Sequence, residues 1–460
     1  MSDVFVPSKP LHVPMAIEEL PTDWRWSRLD DVCEAVYDCP HSTPLLTNDG
    51  PLVVRSQDIR SSVFRVHEAA HVSEETYLER VGRAEPRRGD LLYSREGTYF
   101  GIAAEVPENV RVCLGQRMVL IRPKADLLNF RYLRFWLNSP SLSQHIHGHR
   151  DGTVAERLNL PTIRGLPVAV PPLLRQEAIA NVLGTLDDKI ELNRQINETL
   201  ETMARAVFRS WFVDFEPVRA KTEIRKPDGL DAATAKLFPD KFEESSLGPV
   251  PKGWRVVPLP EAIEVNPRRP LPKGVVAPYL DMGNRPTISA RATKWELREG
   301  GSGARFINGD VLLARITPCL ENGKTAFVDF LPDGQGGWGS TEYIVFRSKQ
   351  PLPDEYAYFL ARSPELRMLA IQNMTGTSGR QRVPAECFSN FCVVVPPDGL
   401  AKRFGDLAKV VMSQMKARDE ETATLAAIRD ALLPKLLSGE VAVADVEQPK
   451  DLAKKRRQLC

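Results

Sequence analysis

No run of the chain approaches the roughly 18–20 consecutive apolar residues of a membrane-spanning helix, so no membrane span is expected in its 460 residues. Met1 to Pro21 holds acids and four prolines but no apolar signal core, which reads as a loose lead-in and not a secretory peptide. The seven cysteines are scattered, with no CxxC pair and no histidine cluster to complete a zinc spacing. That fits a reducing cytoplasm better than a disulfide framework. Net charge is nearly absent too, at +1, which argues against a wholly basic surface but not against a local basic face.

Catalytic signatures are sparse. Gly323-Lys324-Thr325 looks like the end of a phosphate loop, but Pro318 stands where the first glycine of that loop belongs. Gly97 and Gly101 make no dinucleotide fingerprint, and there is no His-Glu-x-x-His. The amino-methyltransferase motif Asp/Asn-Pro-Pro-aromatic is missing, since Pro171-Pro172 and Pro396-Pro397 follow valine and precede Leu or Asp. His41, His145, His147 and His149 lack an evident carboxylate and nucleophile set and read as surface residues. No metal site and no cofactor of its own is expected.

What the chain does contain is one pattern used twice. From Leu173 to Phe215, apolar residues at Ile179, Val182, Leu183, Leu186, Ile190, Leu200, Met203, Val207 and Trp211 keep the three-and-four spacing of an amphipathic helix. Such a helix is on the order of 50–60 Å long. Phe404, Leu407, Val411, Met415, Leu425, Ile428, Leu432 and Leu436 repeat the pattern at a constant offset of 225 residues. A constant offset means no insertion within the helix. Two matched long helices predict an intramolecular pair. Its seam is expected at Ile179, Leu183, Leu186, Ile190, Leu200, Met203 and Val207 on one helix, and at Phe404, Leu407, Val411, Met415, Leu425, Ile428 and Leu432 on the other. Pro434 should kink the second helix or start a new short one, and Ser438-Gly439 should stop it.

The repeat extends forward. Leu20-Pro21-Thr22-Asp23-Trp24-Arg25 is echoed by Val250-Pro251-Lys252-Gly253-Trp254-Arg255, and Arg88-Gly89-Asp90-Leu91-Leu92 by Asn308-Gly309-Asp310-Val311-Leu312. Ser139-Pro140 matches Ser363-Pro364, and Gly152-Thr153 matches Gly376-Thr377. The offset drifts here, as it does where surface loops accept insertions. Each half therefore reads as a loop-variable α/β part followed by a length-fixed helix. Strands are expected at 51–55, 90–94, 119–122 and 167–170, and again at 278–281, 310–315, 343–347 and 391–395. Helices are expected at 130–137 and 355–361. The fold class is α+β. Expected boundaries are a lead-in over 1–19, α/β domains over 20–172 and 250–397, long helices over 173–216 and 398–440, a linker over 217–249 with a helical piece near 232–237, and a flexible tail over 441–460. In that tail Lys454-Lys455-Arg456-Arg457 reads as solvated.

Polar loops recur at equivalent places in both halves. Arg and Lys match guanine edges, Gln and Asn match adenine edges, and Arg, Lys, Ser and Thr hold phosphates. The DNA-contact candidates of the first half are Arg55, Gln57, Arg95, Thr98, Tyr99, Gln116, Arg117, Arg150 and Arg157. Those of the second half are Arg315, Thr317, Asn322, Lys324, Ser340, Thr377, Arg380, Gln381 and Arg382.

The residues from Val170-Pro171-Pro172-Leu173-Leu174-Arg175-Gln176-Glu177 to Ile179 resemble the central region of specificity subunits of Type I restriction–modification systems. So do Leu186-Asp187-Asp188-Lys189-Ile190 and Phe208-Arg209-Ser210-Trp211-Phe212-Val213-Asp214-Phe215-Glu216-Pro217. Leu433-Pro434-Lys435-Leu436-Leu437-Ser438-Gly439-Glu440 resembles the family's terminal conserved region, and the Gly-Asp-Leu-Leu and Gly-Asp-Val-Leu strands resemble its recognition domains. The resemblance implies two tandem target-recognition domains, each followed by a conserved long helix, with the two helices paired as an antiparallel coiled coil. It further implies a split double-stranded DNA target, a spacer set by the helix pair, and two docked modification subunits carrying S-adenosylmethionine and adenine-N6 methylation. Motor-nuclease subunits using ATP and Mg would join for cleavage. A helix of roughly 50 Å would span about 15 bp. The chain itself would be non-catalytic and cytoplasmic, and would bind DNA weakly alone. Two other readings stay open: a self-contained methyltransferase or nuclease, and a helical scaffold that does not touch DNA.

Overall fold

The computed structural model describes residues 12–14, 17, 19–97, 100–147, 157–272, 274–283, 289–377 and 379–443. It divides into two compact units, Met1–Ile190 with Thr424–Cys460, and Glu191–Ala423.

The first unit is built on an antiparallel sheet in the order Cys33–Asp38, Met118–Pro123, Leu91–Ser94, Ile102–Glu105. The Gly89-Asp90 word that introduces Leu91–Ser94 has a structural role. Gly89 has a φ of +94°, a turn conformation that glycine adopts without strain. Asp90 accepts from Arg87 N and takes a two-pronged contact from Arg122, at 2.7 Å on each oxygen. A second sheet pairs Thr47–Val54 in parallel with Val112–Leu114. Helix Phe130–Leu137 starts at the Asn129 cap, whose side chain accepts from Arg131 N and Tyr132 N. Tyr132 and Trp136 then donate to the carbonyls of Ala169 and Pro167 in strand Pro167–Val170.

The second unit uses the same order. Its sheet runs Ile263–Val265, Tyr343–Ser348, Val311–Ala314, Thr325–Phe327, all antiparallel. Gly309 has a φ of +88°, and Asp310 holds both Arg347 and Arg269. A side sheet pairs Val276–Leu280 in parallel with Gly337–Gly339. Tyr356 donates to the Val394 carbonyl, as Tyr132 does to Ala169.

Two long helices, Leu173–Phe212 and Asp398–Ser438, run through the chain. At 40 residues the first is about 60 Å long. In the first unit Ile179, Ala180 and Leu183 share a core with Leu433, Leu436 and Leu437. In the second unit Ala204, Phe208, Trp211 and Phe212 share one with Leu400, Phe404, Ala408, Met412 and Met415. Gln176, fully buried, satisfies three backbone groups around the start of the first helix: it accepts from Asn129 N and donates to the Leu127 and Pro171 carbonyls. Between these apolar stretches the buried stripe turns polar. Asn193 donates to Glu421, and Asn197 donates to Asp419 and to the Met415 carbonyl.

Several sequence-based expectations need correction. Met203, Leu407 and Ile428 are exposed, at 60%, 36% and 45%, and so cannot form the seam. The buried stripe passes instead through Asn193, Asn197, Glu201 and Ala204; a reading that counted only apolar residues stepped one position aside. Pro434 does not divide the second helix, which continues to Ser438. Its lost hydrogen bond, to the Asp430 carbonyl, falls about one turn before the helix end, beside buried Leu433, Leu436 and Leu437. The first helix ends at Phe212 and not at 216, because Phe215 turns left-handed with a φ of 54° before a new helix, Glu216–Thr222. The 217–249 segment, expected as a linker, packs on the second unit: Val218 and Phe238 are buried in its aromatic core. The lead-in and tail, Lys454 to Arg457 included, fall largely outside the described residues.

Candidate nucleic-acid interface

In the first unit the candidate loops meet at one end of the main sheet. Arg95 follows strand Leu91–Ser94; its amide donates to the Arg117 carbonyl and its carbonyl accepts from Leu158 N. Glu96 and Arg157 pair through their backbones in an isolated antiparallel bridge. The side chains here are largely committed to one another. Arg55 makes a two-pronged contact with buried Asp58 at 2.9 and 3.0 Å. Arg95 reaches Asp38 at 3.1 Å, Arg117 reaches Glu96 at 3.2 Å, and His41 lies 3.5 Å from Asp38. Gln116 donates to the His41 carbonyl. Gln57 and Arg157 are exposed. Burial pushes the Cys39 thiol above its ordinary pKa, so it is not a reactive group in this cluster. Thr98, Tyr99 and Arg150 lie outside the described residues.

In the second unit Arg315 holds the same place after strand Val311–Ala314. Its amide donates to the Glu342 carbonyl and its carbonyl accepts from Val383 N. Thr317 Oγ1 accepts from Gln381 N. Arg382 is gripped by both oxygens of Glu342, and those hydrogen bonds raise its already high pKa. Lys324 donates to the Met282 carbonyl. Arg380, Thr377 and Asn322 are exposed, and Ser340 is half-buried, its hydroxyl accepting from Glu342 N.

Beside Arg315 opens a cleft of about 770 Å³. Asn266, Arg268, Arg269, Ser302, Arg305 and Thr341 line it with Arg315, and no carboxylate does so among the described residues. Gly303 sits in its wall because a Cβ there would strike the Gly339 carbonyl oxygen. Arg269 is neutralised by Asp310, at 2.7 Å. Arg268 and Arg305 were missed from sequence. The available signal was the Arg268-Arg269 pair between prolines, directly after a strand; Arg305 sits inside the strand Ala304–Phe306, where only the fold turns it toward a cleft.

Among the described residues no group of three or more His, Cys, Asp or Glu side chains is placed to hold a metal ion. No helix there is long and apolar enough to cross a membrane.

Residues 21–202 match the model of the Type I restriction modification DNA specificity domain. The chain is 24% identical to the Type I restriction enzyme HindI specificity subunit of Haemophilus influenzae, over 91% of its own length and 100% of that protein. It is 22% identical to the MjaIX specificity subunit of Methanocaldococcus jannaschii, over 94% and 96% of the two chains. Among solved structures, the S subunit of a Type I restriction-modification system from M. genitalium aligns with a TM-score of 0.50 at 14% identity, covering 91% of this chain and 96% of that one. That likeness speaks to the fold.

Proposed function

We propose, from the premise that the chain belongs to the family of Type I restriction–modification specificity subunits, that it selects the DNA target for such a complex. The reading is supported above all by one observation. Two sheets of identical strand order each end in a polar loop cluster, with Arg95 and Arg315 in matching places.

On this reading the chain is a tandem duplication. Residues 20–172 and 250–397 are target-recognition domains, each reading one half of a bipartite double-stranded site. The helices Leu173–Phe212 and Asp398–Ser438 pair antiparallel as a coiled coil, and their length sets the gap between half-sites. The duplicated surface suits two identical modification subunits. Those subunits bind S-adenosylmethionine and methylate adenine, while motor-nuclease subunits use ATP and Mg to cleave. The chain itself works in the cytoplasm, holds no cofactor and catalyses nothing. The candidate residues from Arg55 to Arg157 and from Arg315 to Arg382 supply base and phosphate contacts.

The test is a methylome. The chain is co-expressed with its modification subunit, and genomic DNA is read for N6-methyladenine. Two short specific blocks around an unspecified gap are the expected motif. A continuous motif, or none from a verified assembled complex, sinks the reading.

A further inference from the structure

The two loop clusters occupy matching places but differ in charge balance. In the first unit Arg55, Arg95 and Arg117 are each held by a carboxylate, from Asp58, Asp38 and Glu96 respectively. In the second unit Arg268, Arg305 and Arg315 line one cleft with no ion-pair partner among the described residues. Arg315 Nε is buried without a hydrogen-bond acceptor. The local cause is visible in the strands. The first strand of the first sheet ends on Asp38, opposite Val119 and beside Arg95. In the second sheet Val265 pairs with Phe346 as Val36 pairs with Ile121, so the register puts uncharged Pro267 where the first has Asp38, and Arg268 follows it.

We propose that this cleft is a phosphodiester site, so that the second unit anchors DNA by charge while the first unit does not. The inference rests on the DNA-reading function proposed above. Guanidinium groups from three separate segments, without a counter-charge, favour an anion with several acceptor oxygens. A buried donor with no acceptor gains when an oxygen arrives. The first unit's arginines must break existing ion pairs before they contact DNA, so each releases little net charge on binding.

The full chain is titrated with a fluorescent duplex of about 30 bp and arbitrary sequence, between roughly 50 and 200 mM NaCl, and log K is plotted against log[NaCl]. The triple variant R268Q/R305Q/R315Q should flatten the slope by about 2–3, at about 0.9 per phosphate lost. The triple R55Q/R95Q/R117Q should change it by less than about 1. R268K/R305K/R315K should keep the slope, since point charge suffices for phosphate. Thermal melts establish that each variant is folded; if the triple is not, exposed Arg268→Gln alone should remove about 0.9. A glutamine variant with the wild-type slope overturns the inference while leaving the DNA-reading function intact. The same slope combined with lost capture of the modification subunit assigns the cleft to an acidic protein surface instead. Wild-type chain that binds no DNA, alone or with its modification subunit, removes both.

Discussion

Two neighbouring stretches of the long helices, both in the second unit, are built on opposite principles. Around Phe208 the buried face is aromatic: its ring lies 5.3 Å from Phe212, 5.0 Å from Tyr356 and 5.7 Å from Phe404. Two to four turns earlier the buried face is Asn193, Asn197 and Glu201, bonded to Glu421, Asp419 and Tyr358. Apolar contacts are strong in sum but indifferent to register, because they are non-directional. Amide and carboxylate contacts add little net stability, yet a one-turn slip would leave each donor without its acceptor. The comparison teaches a division of labour: the aromatic end holds the helices on the domain, and the polar stretch fixes which residue meets which.

The largest effect should come from the aromatic end. Phe208→Ala removes a ring that is 3% exposed and should cost about 3–5 kcal/mol of unfolding free energy, read from urea curves followed by circular dichroism. A loss under about 1 kcal/mol would break the comparison at its stronger side, since a well-packed ring cannot be removed so cheaply.

A smaller stability change with a different signature is expected at Asn197. Its amide donates to Asp419 Oδ1 at 2.9 Å, while its own Oδ1 is buried without a partner. Asp419 keeps Arg291, at 2.9 Å, when that amide is gone. Asn197→Leu should therefore change stability by no more than about 1 kcal/mol in either direction. If polar contacts set the register, the variant should methylate sites with more than one spacer length when expressed in the complex. A single unchanged spacer would mean that the aromatic end alone fixes the register.

How much of this was legible in the sequence follows the same division. Apolar periodicity and the offset of 225 gave the helices, and turn words such as Gly89-Asp90 gave the strands, because burial and φ preference are local properties of residue type. The polar stripe escaped because Asn193, Asn197 and Glu201 look like surface residues until their partners, more than 150 residues away, are known. The loop candidates were recognisable as polar. Which arginines are already paired was not, since Asp38 is 57 residues from Arg95. Arg268 and Arg305 join the cleft only through the fold.

The smallest effect lies where the two stretches meet. Glu201 is 2% exposed. It accepts from Tyr358 Oη at 2.6 Å and lies 3.8 Å from Arg362, with Arg205 also facing it. Burial outweighs the two arginines and the tyrosine hydrogen bond and raises its pKa. A folded-state pKa above the unfolded value of about 4.3 means that the folded chain binds the proton more tightly. The stabilisation is then complete below that unfolded value and is lost as pH rises through the raised one. Glu201→Gln keeps the protonated shape at every pH. It should match the wild type in acid and exceed it near neutrality, with a flatter profile of urea midpoint against pH. Asp419, Glu355 and Asp354 are raised by burial in the same sense, so the flattening is partial. A variant that is less stable than wild type near neutrality would show that Glu201 is held ionised by its arginines, and the polar stretch would then carry stability as well as register.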